Sequence, residues 1–412
     1  MHTFTLIFLA FLLASVLTRL WLSQRQIKHI QAHKNKVPDA FAEKITLEEH
    51  QKAADYSTTK LKLGRFTLAW ETLWLLTWTL GGALGMVDGW WLQYELSPLW
   101  TGISVILSMT VLMSLLDLPF SLYSTFVIEE RFGFNKTTFK TWITDLLKST
   151  ALMLVIGVPL IAVILWLMNQ AGPNWWIYAW SVWTAFSLLM MWAYPAFIAP
   201  IFNKFTALED ESLKSRIDAL LHRCGFKSKG VFVVDGSKRS AHGNAYFTGF
   251  GSNKRIVFYD TLLESLSENE VEAVLAHELG HFKRNHIKKS LVISVLMTLG
   301  GFALLAWLMN SPWFYSAMGV NMPSTHTALL LFMFIMPVFS YFISPLFSAM
   351  SRKHEFEADD FARQQSDYRA LVSALVNMYR ENASTLTPDP IHSMFYDSHP
   401  PASIRIAHLE TN

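Results

Sequence analysis

The sequence predicts a predominantly α, polytopic membrane protein: seven transmembrane helices and a cytoplasmic α+β domain organised around a metal-binding helix. Three observations lead there. First, 52% of the 412 residues are hydrophobic and only 16% are charged, against roughly 25% charged in an ordinary soluble domain. Second, seven apolar stretches are each long enough for the about 20 residues that a hydrocarbon core of roughly 30 Å demands. Third, one polar segment carries His277-Glu278-Leu279-Gly280-His281. Lys and Arg (34) nearly balance Asp and Glu (32), leaving a net charge of +2. That is too little to draw a phosphate backbone by bulk electrostatics, so no nucleic-acid partner is expected. The single Cys224 excludes an intramolecular disulfide and a cysteine-rich metal site. Any metal has to be held by His and carboxylate.

The spans are expected at Thr3 to Leu22, Phe66 to Met86, Leu99 to Ile128, Ser149 to Met168, Trp175 to Ile201, Ser290 to Met309 and Thr327 to Met350. The first lacks a basic residue before its apolar run and is followed by a basic segment, so it reads as a retained helix and not as a signal peptide. Pro119, Pro195, Pro337 and Pro345 are places where the longer spans can kink. The 23–65 connection holds nine Lys or Arg, and the 129–148 connection holds Arg131, Lys136, Lys140 and Lys148. The alternate connections, 87–98, 169–174 and 310–326, hold none. The basic loops should be cytoplasmic, which puts the N-terminus outside and the C-terminus in the cytoplasm. Trp90, Trp91, Trp100, Trp175, Trp176, Trp307 and Trp313 cluster at the opposite edge as an interfacial belt. The chain thus divides into membrane helices 1–201, a cytoplasmic segment 202–289, membrane helices 290–350 and a cytoplasmic segment 351–412. The two cytoplasmic segments should pack as one unit, since neither is comfortable alone.

Within 202–289, Leu208 to Cys224 has helical spacing, Val231–Asp235 and Arg255–Tyr259 read as strands, and Ser267 to His286 reads as a helix opened by the capping box Ser267-Glu-Asn-Glu270. His277 and His281 are four apart and share a face, so both imidazoles can meet one Zn²⁺, while Glu278, about 100° round, reaches the attacking water. A catalytic zinc needs a third protein ligand and an open position. The longer metallopeptidase pattern fails, because Arg284 and Ile287 stand where Gly and His would be and His286 is out of register by one. The better source is the segment after the last span, where Glu355 and Asp359 share a face. Either could ligate while the other holds a distal ring N–H. His354 is a further candidate, and Glu357 should be solvated. Asn244-Ala245-Tyr246-Phe247 precedes a strand and could pair an extended peptide through its edge. Asp117 and Glu71, ionisable groups inside spans, should face a protein interior or water. His242, His326 and His392 read as surface or satisfied histidines.

These residues resemble the integral-membrane zinc metallopeptidases of the type I CAAX prenyl protease family. The likeness rests on the zinc helix together with 126–136 (Phe-Val-Ile-Glu-Glu-Arg-Phe-Gly-Phe-Asn-Lys), 200–205 (Pro-Ile-Phe-Asn-Lys-Phe), 244–247, Glu355-Phe-Glu-Ala-Asp359, and His399-Pro-Pro401 with Arg405, in the family's order. Gly243 and Ala207 depart from the Ser and Pro expected there. The resemblance implies one Zn²⁺ per chain on His277, His281 and Glu355, with Glu278 as general base and Asp359 behind a ligand ring. It implies His399 and Arg405 as oxyanion donors, and seven helices around an intramembrane chamber. It further implies a membrane-embedded zinc metalloendopeptidase acting on a peptide or protein substrate, removing the terminal tripeptide of a prenylated one, in the plasma membrane of a bacterium or the endoplasmic reticulum of a eukaryote. The competing expectations are a membrane-protein quality-control protease and, from another class, a transporter or lipid-binding chamber with a structural zinc.

Overall fold

The computed structural model describes residues 2–248 and 255–411. Among these, six helical stretches are long and apolar enough to cross a membrane: Thr3–His33, Pro98–Phe132, Phe139–Gln170, Gly172–Phe202, His286–Met309 and Thr325–Gln365. Several run well past the apolar stretches that announce them. Hydropathy marks the slab, whereas a helix ends only where its backbone hydrogen bonds do. The remaining expected span, Phe66 to Met86, is not one helix. Helix Leu47–Trp78 starts in the basic connection with a Thr46/Glu49 capping box, breaks over 79–82, and gives way to helix Ala83–Leu92. Gly82 makes that break possible by taking a left-handed φ of 74°. Inside Pro98–Phe132, Pro119 is followed by a π-helical turn at Ser124–Glu129, and Pro195 sits within another at Tyr194–Ile198. Each proline removes an N–H from the ladder, and the wider turn absorbs the register change.

The polar part is a four-stranded sheet, β1 (Phe205–Ala207), β2 (Val231–Val234), β3 (Ala245–Thr248) and β4 (Arg255–Tyr259), in the order β1-β2-β4-β3. β2 and β4 run parallel, and β3 lies antiparallel to β4 with Ala245 opposite Phe258. β3 is therefore an edge strand, and β1 is a strand the sequence reading did not foresee. Leu213, Ile217, Ile256, Phe258, Val271 and Leu275 share one buried core with Phe361, Leu371, Leu375 and Leu409. Segments 202–289 and 351–412 close a single core that neither could complete. Cys224 packs against that core, partly buried.

Two helices connect this core directly to spans. Helix Glu268–Lys283 is separated from the span His286–Met309 only by Arg284 and Asn285, and Asn285 has φ 57°. Asparagine tolerates that left-handed conformation better than most residues. Helix Ser344–Gln365 is the direct continuation of Thr325–Ser340 through a 3-10 turn at Tyr341–Ile343. Between the spans a cavity of about 860 Å³ is lined by Arg19, Lys60, Arg65, Glu71, Tyr341 and His392 among others. Glu71 thus lines this cavity, and Glu71 and Asp117 are both exposed.

Candidate metal centre and active site

The helix Glu268–Lys283 forms because Ser267 and Glu270 cap it reciprocally and because Val271, Val274, Leu275 and Leu279 bury one face. Against it lies helix Ser344–Gln365, and the two come into close contact at Gly280. A Cβ built there would stand 2.9 Å from Ala358 Cα and 3.1 Å from its carbonyl oxygen. That approach brings His277 and His281 onto Glu355.

Ligand-type atoms of three residues converge. His277 Nε2 and His281 Nε2 are 3.3 Å apart, His277 Nε2 is 3.4 Å from Glu355 Oε2, and His281 Nε2 is 3.3 Å from Glu355 Oε1. Bonds of about 2.0 to 2.2 Å at tetrahedral angles would separate ligand atoms by roughly 3.3 to 3.5 Å. The donor set therefore fits a small tetrahedral cation. Glu355 Oε2 has no hydrogen-bond partner although it is buried, and a buried carboxylate oxygen without one demands compensation. The same need appears at His277. Burial and nearby Arg405 disfavour its charged form, but Asp359 and Glu355 outweigh them and push its pKa above the ordinary imidazole value.

Behind the converging atoms, His277 Nδ1 is 2.8 Å from Asp359 Oδ1. Asp359 is fully buried and receives Arg405 as a fork, Nε to Oδ2 at 2.8 Å and Nη2 to Oδ1 at 2.5 Å. Arg405 Nη1 reaches to 3.4 Å from Glu355 Oε2. Its helix, Ala402–Thr411, is tied down where Ala402 N–H donates to Tyr379 Oη at 3.1 Å. His399 is on the open side, 66% exposed, with Nε2 3.4 Å from Glu355 Oε1. A cavity of about 140 Å³ adjoins these groups, lined by Asn244, Ala245, Glu278 and His399 on its polar side and by Leu262, Val274, Leu371, Leu375 and Met378 on its apolar side.

Every sequence-expected site residue lies within this neighbourhood except Tyr246 and Phe247, which follow along β3; Phe247 packs edge-on to Phe226 and Phe282. His354 is not among the converging ligands; its ring stacks on His286 at 4.0 Å. Glu357, expected to be solvated, instead pairs with His286, Nε2 to Oε2 at 2.9 Å. His286 opens the span His286–Met309 and Glu357 belongs to helix Ser344–Gln365, a contact between distant segments that no local spacing reveals. Two histidines left as satisfied have specific partners. His326 Nε2 meets buried Asp88 at 2.7 Å. His242 sits between Asn382, at 3.2 Å, and Glu129, at 3.4 Å.

The chain is similar to known proteins over its whole length. Residues 26–204 match the profile of the CAAX prenyl protease N-terminal region, described as five membrane helices. Residues 207–412 match peptidase family M48. Among curated proteins, the CAAX prenyl protease 1 homolog of Arabidopsis thaliana is 42% identical over 298 residues, covering 71% of this chain and 70% of that one. CAAX prenyl protease 1 of Saccharomyces cerevisiae is 39% identical over 320 residues, 73% of this chain and 70% of its own. The Homo sapiens CAAX prenyl protease 1 homolog is 33% identical over 457 residues, 98% and 95% of the two chains. The crystal structure of S. mikatae Ste24p superimposes over 100% of both chains with a TM-score of 0.93 at 32% identity. Two helices joined directly to spans and carrying a converging His, His and Glu set, a polar core closed by segments 202–289 and 351–412, and relatives matched over most or all of the chain lead to one conclusion: this is a membrane metallopeptidase of family M48, and the chain belongs to the CAAX prenyl protease family.

Proposed function

We propose that the protein is a zinc-dependent endopeptidase that removes the C-terminal tripeptide from prenylated CAAX-type polypeptides at the cytoplasmic membrane surface. The observation that carries this reading is the meeting of ligand atoms from His277, His281 and Glu355 beside an edge strand, on helices joined directly to spans. Two imidazole nitrogens and one carboxylate oxygen suit Zn²⁺, with His277, His281 and Glu355 as the ligands. Bound there, zinc would polarise the scissile carbonyl and lower the pKa of a water.

The chain's own groups do the rest. Glu278 takes a proton from the attacking water as its oxygen bonds to the carbonyl carbon, then delivers that proton to the leaving amine as the C–N bond breaks. His399 is exposed toward the cavity and donates to the developing oxyanion. Arg405 contributes its remaining Nη1, while its fork holds Asp359 against His277 and so keeps that ring oriented. Asn244 to Phe247 align an extended substrate by main-chain hydrogen bonds along the β3 edge. The apolar half of the cavity, Leu262, Val274, Leu371, Leu375 and Met378, accepts one aliphatic side chain beside the cut. The prenyl group is the part of the substrate that the names of the relatives suggest, and the bilayer is where that lipid resides. The basic 23–65 and 129–148 connections support a cytoplasmic catalytic side.

The test uses the purified full chain, one CAAX peptide in farnesylated and unmodified forms, and mass spectrometry of the products. Release of the tripeptide from the farnesylated form, bound zinc near one per chain, and loss of cleavage with retained zinc in Glu278→Gln are expected. Equal cleavage of both peptides would remove lipid recognition from the reading. Cleavage that survives Glu278→Gln would remove the assigned base.

A further inference from the structure

One polar chain near the site takes no part in the reading above. His281 turns Nε2 toward His277 and Glu355, and its other nitrogen, Nδ1, is 3.0 Å from Nδ1 of His286. His286 is 3% exposed, and its Nε2 is 2.9 Å from Glu357 Oε2. The left-handed Asn285 makes this possible by ending one helix and starting the next, so that the first residue of the new helix swings behind the last histidine of the motif. Residues two apart on a helix stand about 200° apart. Glu355 therefore touches the front of His281 while Glu357 reaches its back through His286.

We propose that His286 and Glu357 are positioning residues that fix the ring and tautomer of His281 for metal binding, as Asp359 does for His277. The inference rests on the proposed zinc site. Proton bookkeeping supports it. If Nε2 of His281 offers its lone pair to a metal, the ring proton is on Nδ1 and needs an acceptor. Among the described residues Nδ1 of His286 is the one that faces it, so that nitrogen is the bare one and the His286 proton is on Nε2. There it donates to the Glu357 carboxylate. Each ring carries one proton and each proton is used. Stacking of His286 on His354, at 4.0 Å and 10° between planes, holds the relay's plane. Lys353, 4.0 Å from Glu357 Oε1, flanks its outer end. Losing such a partner typically weakens metal affinity about 10- to 100-fold.

The experiment measures zinc affinity of the full chain by chelator competition, for wild type, His286→Phe, His286→Asn and Glu357→Gln, with the visible spectrum of the Co²⁺-substituted forms and thermal melting of the metal-free proteins recorded in parallel. Phenylalanine preserves the stack on His354 but accepts no hydrogen bond. Asparagine loses the stack but places Oδ1 near where Nδ1 was. The relay requires Phe to weaken affinity about 10- to 100-fold, Asn to recover most of it, and Glu357→Gln to fall between Phe and wild type, with the Co²⁺ bands displaced in the Phe variant. A merely packed histidine would give the opposite order, Phe near wild type and Asn worse, and that order overturns the proposal. If neither variant at 286 folds, an unchanged affinity in Glu357→Gln overturns it instead. A wild type without zinc, or zinc binding undiminished in His281→Ala, would overturn the metal site itself and the relay with it; normal zinc binding that is indifferent to position 286 overturns the relay alone.

Discussion

Gly280 is the point at which a small steric change should be read out as metal affinity. In Gly280→Ala the new Cβ would lie 2.9 Å from Ala358 Cα, 3.1 Å from its oxygen and 3.2 Å from its Cβ, where ordinary contact begins at 3.4 Å. Two of these atoms are backbone, so relief requires the helices Glu268–Lys283 and Ser344–Gln365 to separate by about half an ångström. The same two helices supply the histidines and the carboxylate, whose metal bonds tolerate only about ±0.2 Å. Binding a metal must then pull the helices back against the clash. If the usual overpacking cost of about 1 to 3 kcal/mol falls mainly on the bound state, zinc affinity drops roughly 5- to 150-fold, since about 1.4 kcal/mol is tenfold. Chelator competition measures it, with Gly300→Ala as the control, because no atom lies within 4 Å of a Cβ there. Zinc affinity and turnover in Gly280→Ala equal to those of Gly300→Ala would refute the idea that this contact sets the site.

Three further outcomes are expected. His399→Ala should lower turnover by about 10²- to 10³-fold with little change in KM, measured by steady-state kinetics on the farnesylated peptide; an effect confined to KM would make His399 a substrate-binding residue. Glu270 accepts from Ser267 N–H at 2.8 Å and from Asn377 Nδ2 at 2.8 Å, and from Ser373 Oγ; burial raises its pKa, but these bonds outweigh it and hold the carboxyl below its usual 4.5. Its contribution is therefore fully present above pH 4.5 and is lost as the pH falls through the lowered native value, so the melting-temperature gap between wild type and Glu270→Ala should be widest near neutral pH and close in acid. Cysteines placed in the connection at 93–97 should react with an impermeant label from outside intact cells, and cysteines placed at 34–36 should not; the reverse would invert the proposed orientation.

The membrane character and the paired histidines were legible because both depend on local pattern: apolar length for a span, and a separation of four for a shared helical face. The choice between Glu355 and Asp359 was not, since both stand on that same face. What separates them in the structure is which nitrogen of His277 each meets, Nε2 for Glu355 and Nδ1 for Asp359. A ring's orientation has no signature in spacing. Glu357 shows the same limit from the other side. A helical wheel correctly turns it away from Glu355, yet its partner His286 comes from another helix, positioned by the positive φ of Asn285. The second span differs from a single rod for another reason: Phe66 to Met86 has the length and hydropathy of a span, but the glycines at 81 and 82 let the backbone break between helices Leu47–Trp78 and Ala83–Leu92.

The segment Glu129 to Lys136 is easily noticed in the sequence and hard to interpret there, because its partners are far away along the chain. In the structure it is a strap between the spans and the edge strand. Glu129 accepts from Tyr56 Oη at 2.6 Å and lies 3.4 Å from His242, whose ring stacks on Phe134 at 4.3 Å. Ala241 N–H donates to Phe134 O at 3.0 Å, and Asn135 bridges Ser240. On the far side, Gly243 N–H donates to Asn382 Oδ1 at 3.1 Å. The residues leading into β3 are thus held between a membrane connection and the C-terminal segment. The metal-site helices are held to the membrane as well, one by Asn285 and the next span, the other by running straight out of the last span. Strand edge and ligand set therefore share one frame of reference, the bilayer. For a substrate anchored by a lipid at its C-terminal end, cutting at a fixed residue requires that the distance from anchor to scissile bond be constant, and a common attachment to the spans provides that constancy without any contact to the lipid itself.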